Sequence, residues 1–239
     1  MVLLLGLGLC GLAAAAVGVA HQLLPRQFTA AQERQIMAWD MTRRWRALSA
    51  GQIFPATIAY KVSAQAVNAS QGLVLDAHRL AISPTAGCAS GVSAGAAAML
   101  AADHCLALLR ATYLDSSGSM VATVGVAVLP DSQEAAAAAR ALTARGQVLA
   151  LGVRALAVAG TVASGFGDRQ RQLSDVVPAG PYVILTTAGF TDGRRHVRLA
   201  SDYYYDQEMT SLVSGLTSAT SNLLGAEPSI PRCPGSPGC

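Results

Sequence analysis

Nineteen consecutive residues, Val2 to Ala20, carry no charge, and Cys10 is the one side chain among them with any polarity. As a helix this run is about 28 Å long, close to the ~30 Å hydrocarbon thickness of a bilayer. The rest of the chain must therefore fold beside a membrane or after export through one. Cores of cleaved signal peptides usually run ~7 to 15 residues, so the length favours an uncleaved anchor. Gly18-Val19-Ala20 keeps the cleaved reading open, because small residues stand at both recognition positions. Cys10 follows Leu9, where a lipoprotein signal would carry a small residue.

Two lines of reasoning bear on sidedness, and they oppose each other. Arg26, Arg34, Arg43, Arg44 and Arg46 follow the run, and basic residues on that flank would hold the body in the cytoplasm. Against this, a first hydrophobic segment at the N-terminus is the ordinary export signal. Four cysteines also lie beyond the run, an even number that suits two disulfides in an oxidising compartment. The expectation is a single-pass cell-membrane protein with its domain outside. Residues 1–25 are then the anchor or signal segment, 26–51 a juxtamembrane helix, 52–226 the extracytoplasmic domain, and 227–239 a Pro/Gly-rich tail containing Cys233 and Cys239.

Beyond the run, about 200 residues are enough for one domain with a real core. Only 13% of the chain is charged and 5% aromatic, and alanine supplies much of the 52% apolar content. A net charge of +3, scattered along the sequence, excludes a nucleic-acid binder. Of 17 basic residues only Lys61 is lysine. No folding argument demands that ratio; with the alanine excess it reads as the codon bias of a high-GC bacterial genome. The Asn68-Ala69-Ser70 sequon then carries no meaning.

Thr29 and Gln32 form a capping box, and Met37, Met41, Trp45 and Leu48 recur on one helical face, with Gly51 as the stop. The opposite face, with Glu33, Arg34, Asp40, Arg43, Arg44 and Arg46, is solvated or lies on anionic headgroups. Ile53–Val62 reads as a strand held to an edge or bulge by Pro55, and Leu73–Ile82 as a second. Ser93 caps an alanine-rich helix reaching about Asp103. Leu106–Tyr113 and Met120–Leu129 form a hairpin about the turn Asp115-Ser116-Ser117-Gly118. Asp131 with Glu134 caps a helix that ends at Gly146.

Gln147–Phe166 is apolar enough to suggest a second span, but a central Arg154 costs ~2.5–3.5 kcal/mol on insertion scales. Two short buried strands, Val148–Leu151 and Arg154–Val158, suit it better. Tyr182–Phe190 is a strand, and Asp192-Gly193 a turn leading to His196–Leu199. A final helix starts near Asp202, with Met209, Leu212, Val213, Leu216 and Leu223 on one face. Hairpins outnumber crossovers, so the fold class is α+β, a mainly antiparallel sheet with packed helices.

Among three possible disulfide pairings, proximity favours Cys88–Cys105 with Cys233–Cys239. Gly91-Val92-Ser93-Ala94-Gly95 matches G-x-S-x-G, and Asp175 or Asp192 with His196 would complete a triad in chain order. No strand precedes Ser93, however, and an N-cap role accounts for it fully. Only His104 and Cys105 are adjacent metal-type ligands, and helix neighbours point about 100° apart, so neither a metal nor a cofactor is expected. Asp76, His78 and Asp103 are isolated titratable groups. The loop Gly165–Gln172 holds Asp168, Arg169 and Arg171, and Tyr203, Tyr204 and Tyr205 make the one aromatic cluster. These six residues are the candidate binding surface.

The segments Gln32-Glu33-Arg34-Gln35-Ile36-Met37, Ile53-Phe54-Pro55-Ala56, Leu109-Arg110-Ala111-Thr112-Tyr113, Gly167-Asp168-Arg169-Gln170-Arg171-Gln172-Leu173 and Pro181-Tyr182-Val183 resemble those of uncharacterised membrane-anchored actinobacterial proteins. The layout of anchor, α+β body and paired cysteines is also similar in shape to extracellular sensor domains of actinobacterial kinases, though this chain has no kinase domain. The resemblance implies an extracytoplasmic α+β domain and no particular activity. The functional expectation is a non-enzymatic binding module for an envelope protein or a cell-wall ligand. The alternatives are an exported serine hydrolase using Ser93 and a cytoplasmic-facing adaptor using the basic helix.

Overall fold

The computed structural model describes residues 28–64, 70–85, 87–144, 149–196 and 203–228. The apolar run Val2–Ala20, Cys10, Asn68, Cys233 and Cys239 lie outside them. Among the described residues no helix is long and apolar enough to cross a membrane. The chain divides into a unit spanning Met41–Ala226 and a smaller one made of residues 1–40 and 227–239.

Helix α1 (Ala30–Ala47) begins at the expected capping box. The Gln32 N–H donates to Thr29 Oγ1 and the Thr29 N–H to Gln32 Oε1. The helix stops at Ala47, not at Gly51, because Ser49 starts a new one-turn helix, α2 (Ala50–Ile53), through a second capping box with Gln52. The expected strand at Ile53 accordingly begins later, as β1 (Thr57–Val62). There Ile58, Tyr60 and Val62 turn inward and their neighbours outward, the two-residue period of a half-buried strand.

Strand β2 (Leu73–Ile82), helix α3 (Ala94–Ala102), and the hairpin of β3 (Ala107–Asp115) and β4 (Met120–Val128) follow the sequence reading closely. The Asp115 carboxylate closes the hairpin turn by accepting from the backbone N–H groups of Ser117 and Met120. Helix α4 (Ser132–Thr143) is N-capped by Asp131, which accepts from Gln133 and Glu134 N–H. Glu134 does not return the bond; its carboxylate faces His104 at 3.3 Å.

The long connection after α4 corrects the sequence reading. Residues 149–158 form no strands; the single ladder contact is a bridge between Val92 and Val153. Strand β5 (Arg171–Ala179) begins inside the expected loop Gly165–Gln172 and pairs with β6 (Tyr182–Phe190). Pro178 sits within β5, tolerable because β5 is an edge strand. After β6 the chain turns at Gly193 (φ 76°) and runs to His196 without forming a strand; 197–199 lie outside the described residues.

All six strands are antiparallel, in the order β1-β2-β3-β4-β6-β5. The final helix, α5 (Tyr203–Gly225), packs against β4 and β6 and against both edge strands, so the sheet curls around it. Met209, Leu212, Val213, Leu216 and Leu224 point into this core with Tyr60, Tyr113, Val124 and Ile184. Leu223, expected on that face, is 36% exposed. Thr217 and Thr220 take buried places instead, bonded to Thr186 Oγ1 and the Leu216 carbonyl. The buried stripe thus steps by four residues from 216 to 220 to 224, drifting around the helix as it follows the twisted sheet.

Arg44 of α1 reaches the C-terminus of α5, where its Nη1 donates to the carbonyls of Leu224 (2.9 Å) and Ala226 (2.7 Å). Tyr182 is inserted into the α1 ladder, accepting from the Trp45 N–H and donating to the Met41 carbonyl. The opposite face of the sheet is covered in two halves. An apolar half (Leu108, Ala127, Val183 and Leu185) lies under α3 and α4. Cys88 and Cys105 are joined as a disulfide across α3. The other half, which carries polar groups beside a small apolar cluster of Val121, Ala163 and Phe166, underlies the segment 149–170.

Candidate functional site

Two buried arginines define the polar half. Arg110 stands on β3 directly across from Gly125 of β4, and Arg171 opens β5 across from Gly189 of β6. Each is only 8% exposed. The glycines make room for the covering segment: a Cβ at Gly125 would come within 2.8 Å of Val153 Cγ2, and one at Gly189 within 2.3 Å of the Gln170 carbonyl oxygen. The segment therefore lies flat on the sheet instead of joining its edge.

Lying across the strands, the segment has its backbone groups satisfied partly by backbone, as where the Arg154 N–H donates to the Gly91 carbonyl, and partly by side chains. Thr112 Oγ1 donates to the Leu156 carbonyl at 2.7 Å, and the Leu156 N–H donates to Thr123 Oγ1 at 3.0 Å. Arg171 Nη1 donates to the Val153 carbonyl and Arg110 Nη1 to that of Arg154. Buried backbone must be paired in some way, and here the sheet's polar face does it.

Asp168, in a short 3₁₀ turn (Asp168–Gln170), is the hub. Its carboxylate accepts from Arg154 Nε (3.1 Å) and the Ala155 N–H (3.0 Å), and lies 3.6 Å from Arg171 Nε. The Arg110 Nε, fully buried, has no hydrogen-bond partner among the described residues. Burial lowers the pKa of Arg110, the neighbouring Arg154 lowers it further, and Asp168 opposes both. Burial also lowers that of Arg171, against Asp168, with Arg154 adding a smaller push down. Two guanidinium groups, those of Arg154 and Arg171, thus pair with one carboxylate, while Arg110 is near enough to feel its charge without pairing. Arg154 and Asp168, with side chains 52% and 38% exposed, open the cluster to solvent.

Of the six residues expected to form a binding surface, Asp168 and Arg171 meet in this cluster. Arg169 is exposed next to them, and its carbonyl accepts from the His196 N–H at 3.1 Å. Tyr203, Tyr204 and Tyr205 open α5, and their side chains lie outside the described part. The sequence reading missed Arg110 and Arg154. A signal existed for both: each is a lone arginine in an otherwise apolar run, and such a residue needs a polar partner once buried.

The groups considered for a hydrolase each face elsewhere. Ser93 Oγ accepts from the Ala96 N–H as the α3 N-cap, and His196 Nδ1 meets Gln172 Oε1 at 3.2 Å. Asp175 accepts from the Val176 N–H. Asp192 is paired with Arg194, whose hydrogen bonds hold its carboxyl below the usual range. Val92 reaches Ser93 through an isolated bridge and not through a buried strand. A separate groove of about 590 Å³ runs between edge strand β1 and α5, lined by Tyr60, Lys61, Ser214, Gly215 and Ser218 among others.

The chain matches no protein-family model, no curated protein and no solved structure.

Proposed function

We propose that this chain is a binding module of a bacterial cell envelope, held by its N-terminal segment on the outer side of the membrane and engaging its ligand or partner through the face carrying Arg110, Arg154, Asp168 and Arg171. In this reading its counterparts are membrane-anchored envelope proteins of actinobacteria, which several of its sequence segments resemble. The observation that carries it is that cluster: two arginines buried on a sheet face, one with an unpartnered Nε, beneath a segment tied down by side chains. A face made only for packing is better served by apolar residues, since burying cations without full pairing is costly. The Cys88–Cys105 disulfide supports an oxidising compartment. The cytoplasmic adaptor is less favoured, because Arg44 of the basic helix is bonded to the carbonyls ending α5.

Peptide mapping of membrane-extracted protein, alkylated at once and left unreduced, tests the placement. A Cys88–Cys105 crosslink in protein that retains the Val2–Ala20 peptide is the expected result. Free, alkylated Cys88 and Cys105 would move the domain to the cytoplasmic side and end this reading.

A further inference from the structure

Arg154 and Arg171 pair with the Asp168 carboxylate, Arg110 is held alongside through the Arg154 carbonyl, and Arg110 and Arg171 are nine-tenths buried. Asp168 is committed to Arg154, Arg171 and the Ala155 N–H, and it leaves the Arg110 Nε without a partner. Three positive charges against one negative leave an excess of two. Arg169, next to Asp168 in the chain, is exposed, Arg194 is matched by Asp192, and His196 is joined to Gln172. A carboxylate ligand would neutralise half of the excess. A phosphate monoester carries about −1.5 to −2 charges and three acceptor oxygens, and guanidinium forks suit its geometry.

We propose that Arg110, Arg154 and Arg171 form a receiving site for one dianionic tetrahedral oxyanion, of the phosphate-monoester class. The site deepens the binding reading above, since it names the ligand chemistry of the same face. Exposed Arg154 meets the ligand first, and the buried pair fixes it against the sheet. Asp168 acts as an internal competitor that occupies part of the guanidinium surface when the ligand is away.

The test is calorimetric titration of the folded, disulfide-intact protein with glycerol phosphate, with sulfate as a dianion of constant charge. Saturable binding of both is expected. From pH 8 to pH 5 the affinity for glycerol phosphate, divided by that for sulfate, should fall about tenfold as the ester loses its second charge. The ratio cancels titration of the protein's own groups. Arg154→Ala should weaken both ligands tenfold or more. Asp168→Asn should tighten both, a direction that misfolding does not produce. Absence of saturable binding on the order of 10 mM, weaker than any millimolar site, overturns the proposal. So does equal affinity in wild type, Arg154→Ala and Asp168→Asn, or acetate binding as tightly as sulfate. Any of these outcomes leaves the disulfide mapping, and with it the envelope placement, untouched.

Discussion

Replacing Asp168 by alanine tests the central claim that one carboxylate organises the polar half of the sheet face. Three interactions are lost together. The pair with Arg154 is half exposed, and such pairs contribute ~0–1 kcal/mol. The Ala155 N–H loses a charged acceptor at 3.0 Å, worth ~1.5–3 kcal/mol when buried and less here, where water can replace it. Arg171 is the largest contribution, because its side chain is 9% exposed and would keep only carbonyl partners. Breaking a buried pair costs ~3–5 kcal/mol; with Asp168 itself 38% exposed, water refills the vacancy and roughly half of that remains.

The expected loss is therefore about 2–4 kcal/mol, read as a lower urea midpoint at unchanged slope, or a Tm lowered by roughly 5–12 °C for a unit of this size. Asp168→Asn should cost less, since the amide oxygen still accepts from Ala155. Asp168→Ala combined with Arg171→Met should recover about 1 kcal/mol or more of the sum of the single losses, because the second change removes the stranded charge. Strict additivity of the two changes, or a loss under about 0.5 kcal/mol for Asp168→Ala, would refute the hub role.

Reducing Cys88–Cys105, which closes a loop of 17 residues, should cost about 3 kcal/mol in the same urea assay, and an unchanged midpoint would show the bridge adds no constraint. Arg44→Met removes the donor that ends α5 and should cost about 1–2 kcal/mol; a midpoint equal to wild type would assign those carbonyls to water. Burial pushes the phenols of Tyr60 and Tyr113 well above the usual value, with the Asp115, Glu208 and Asp76 carboxylates adding to it for Tyr60. Their stabilising contribution is complete below pH ~10 and is lost as pH rises beyond it. Absorbance at alkaline pH should show these two ionising only with unfolding, whereas titration near pH 10 in the intact fold would contradict their burial.

How much of this was legible in the sequence depended on whether a segment's partner is backbone or side chain. Strands β2, β3, β4 and β6 were readable because apolar runs and turn residues such as Asp115 and Gly118 are local signals. The caps at Ser93 and Asp131 were readable for the same reason. Strand β5 was not: it is an edge strand with a bulge between Arg171 and Leu173, so polar residues and Pro178 interrupt its pattern. The buried threonines of α5 hid in the same way, since Thr217 and Thr220 look solvated until their bonding partners are known.

The segment 149–158 failed for a deeper reason, and it is the one that matters for function. Its apolar composition gives the period of a buried strand, but its register is set by Arg110, Thr112, Thr123, Asp168 and Arg171, which come from both sides of it in sequence. No window of local sequence contains that information. A ladder strand would have needed only apolar side chains and a neighbouring backbone. Here the chain has placed two arginines on the sheet face to hold a loop, and the charge they bring exceeds what Asp168 neutralises. Threonine and serine could have supplied hydrogen bonds to the Val153 and Arg154 carbonyls without burying cations. The use of arginine at both positions is therefore unexplained by holding the loop alone, and an anionic ligand at the same face accounts for the remaining charge.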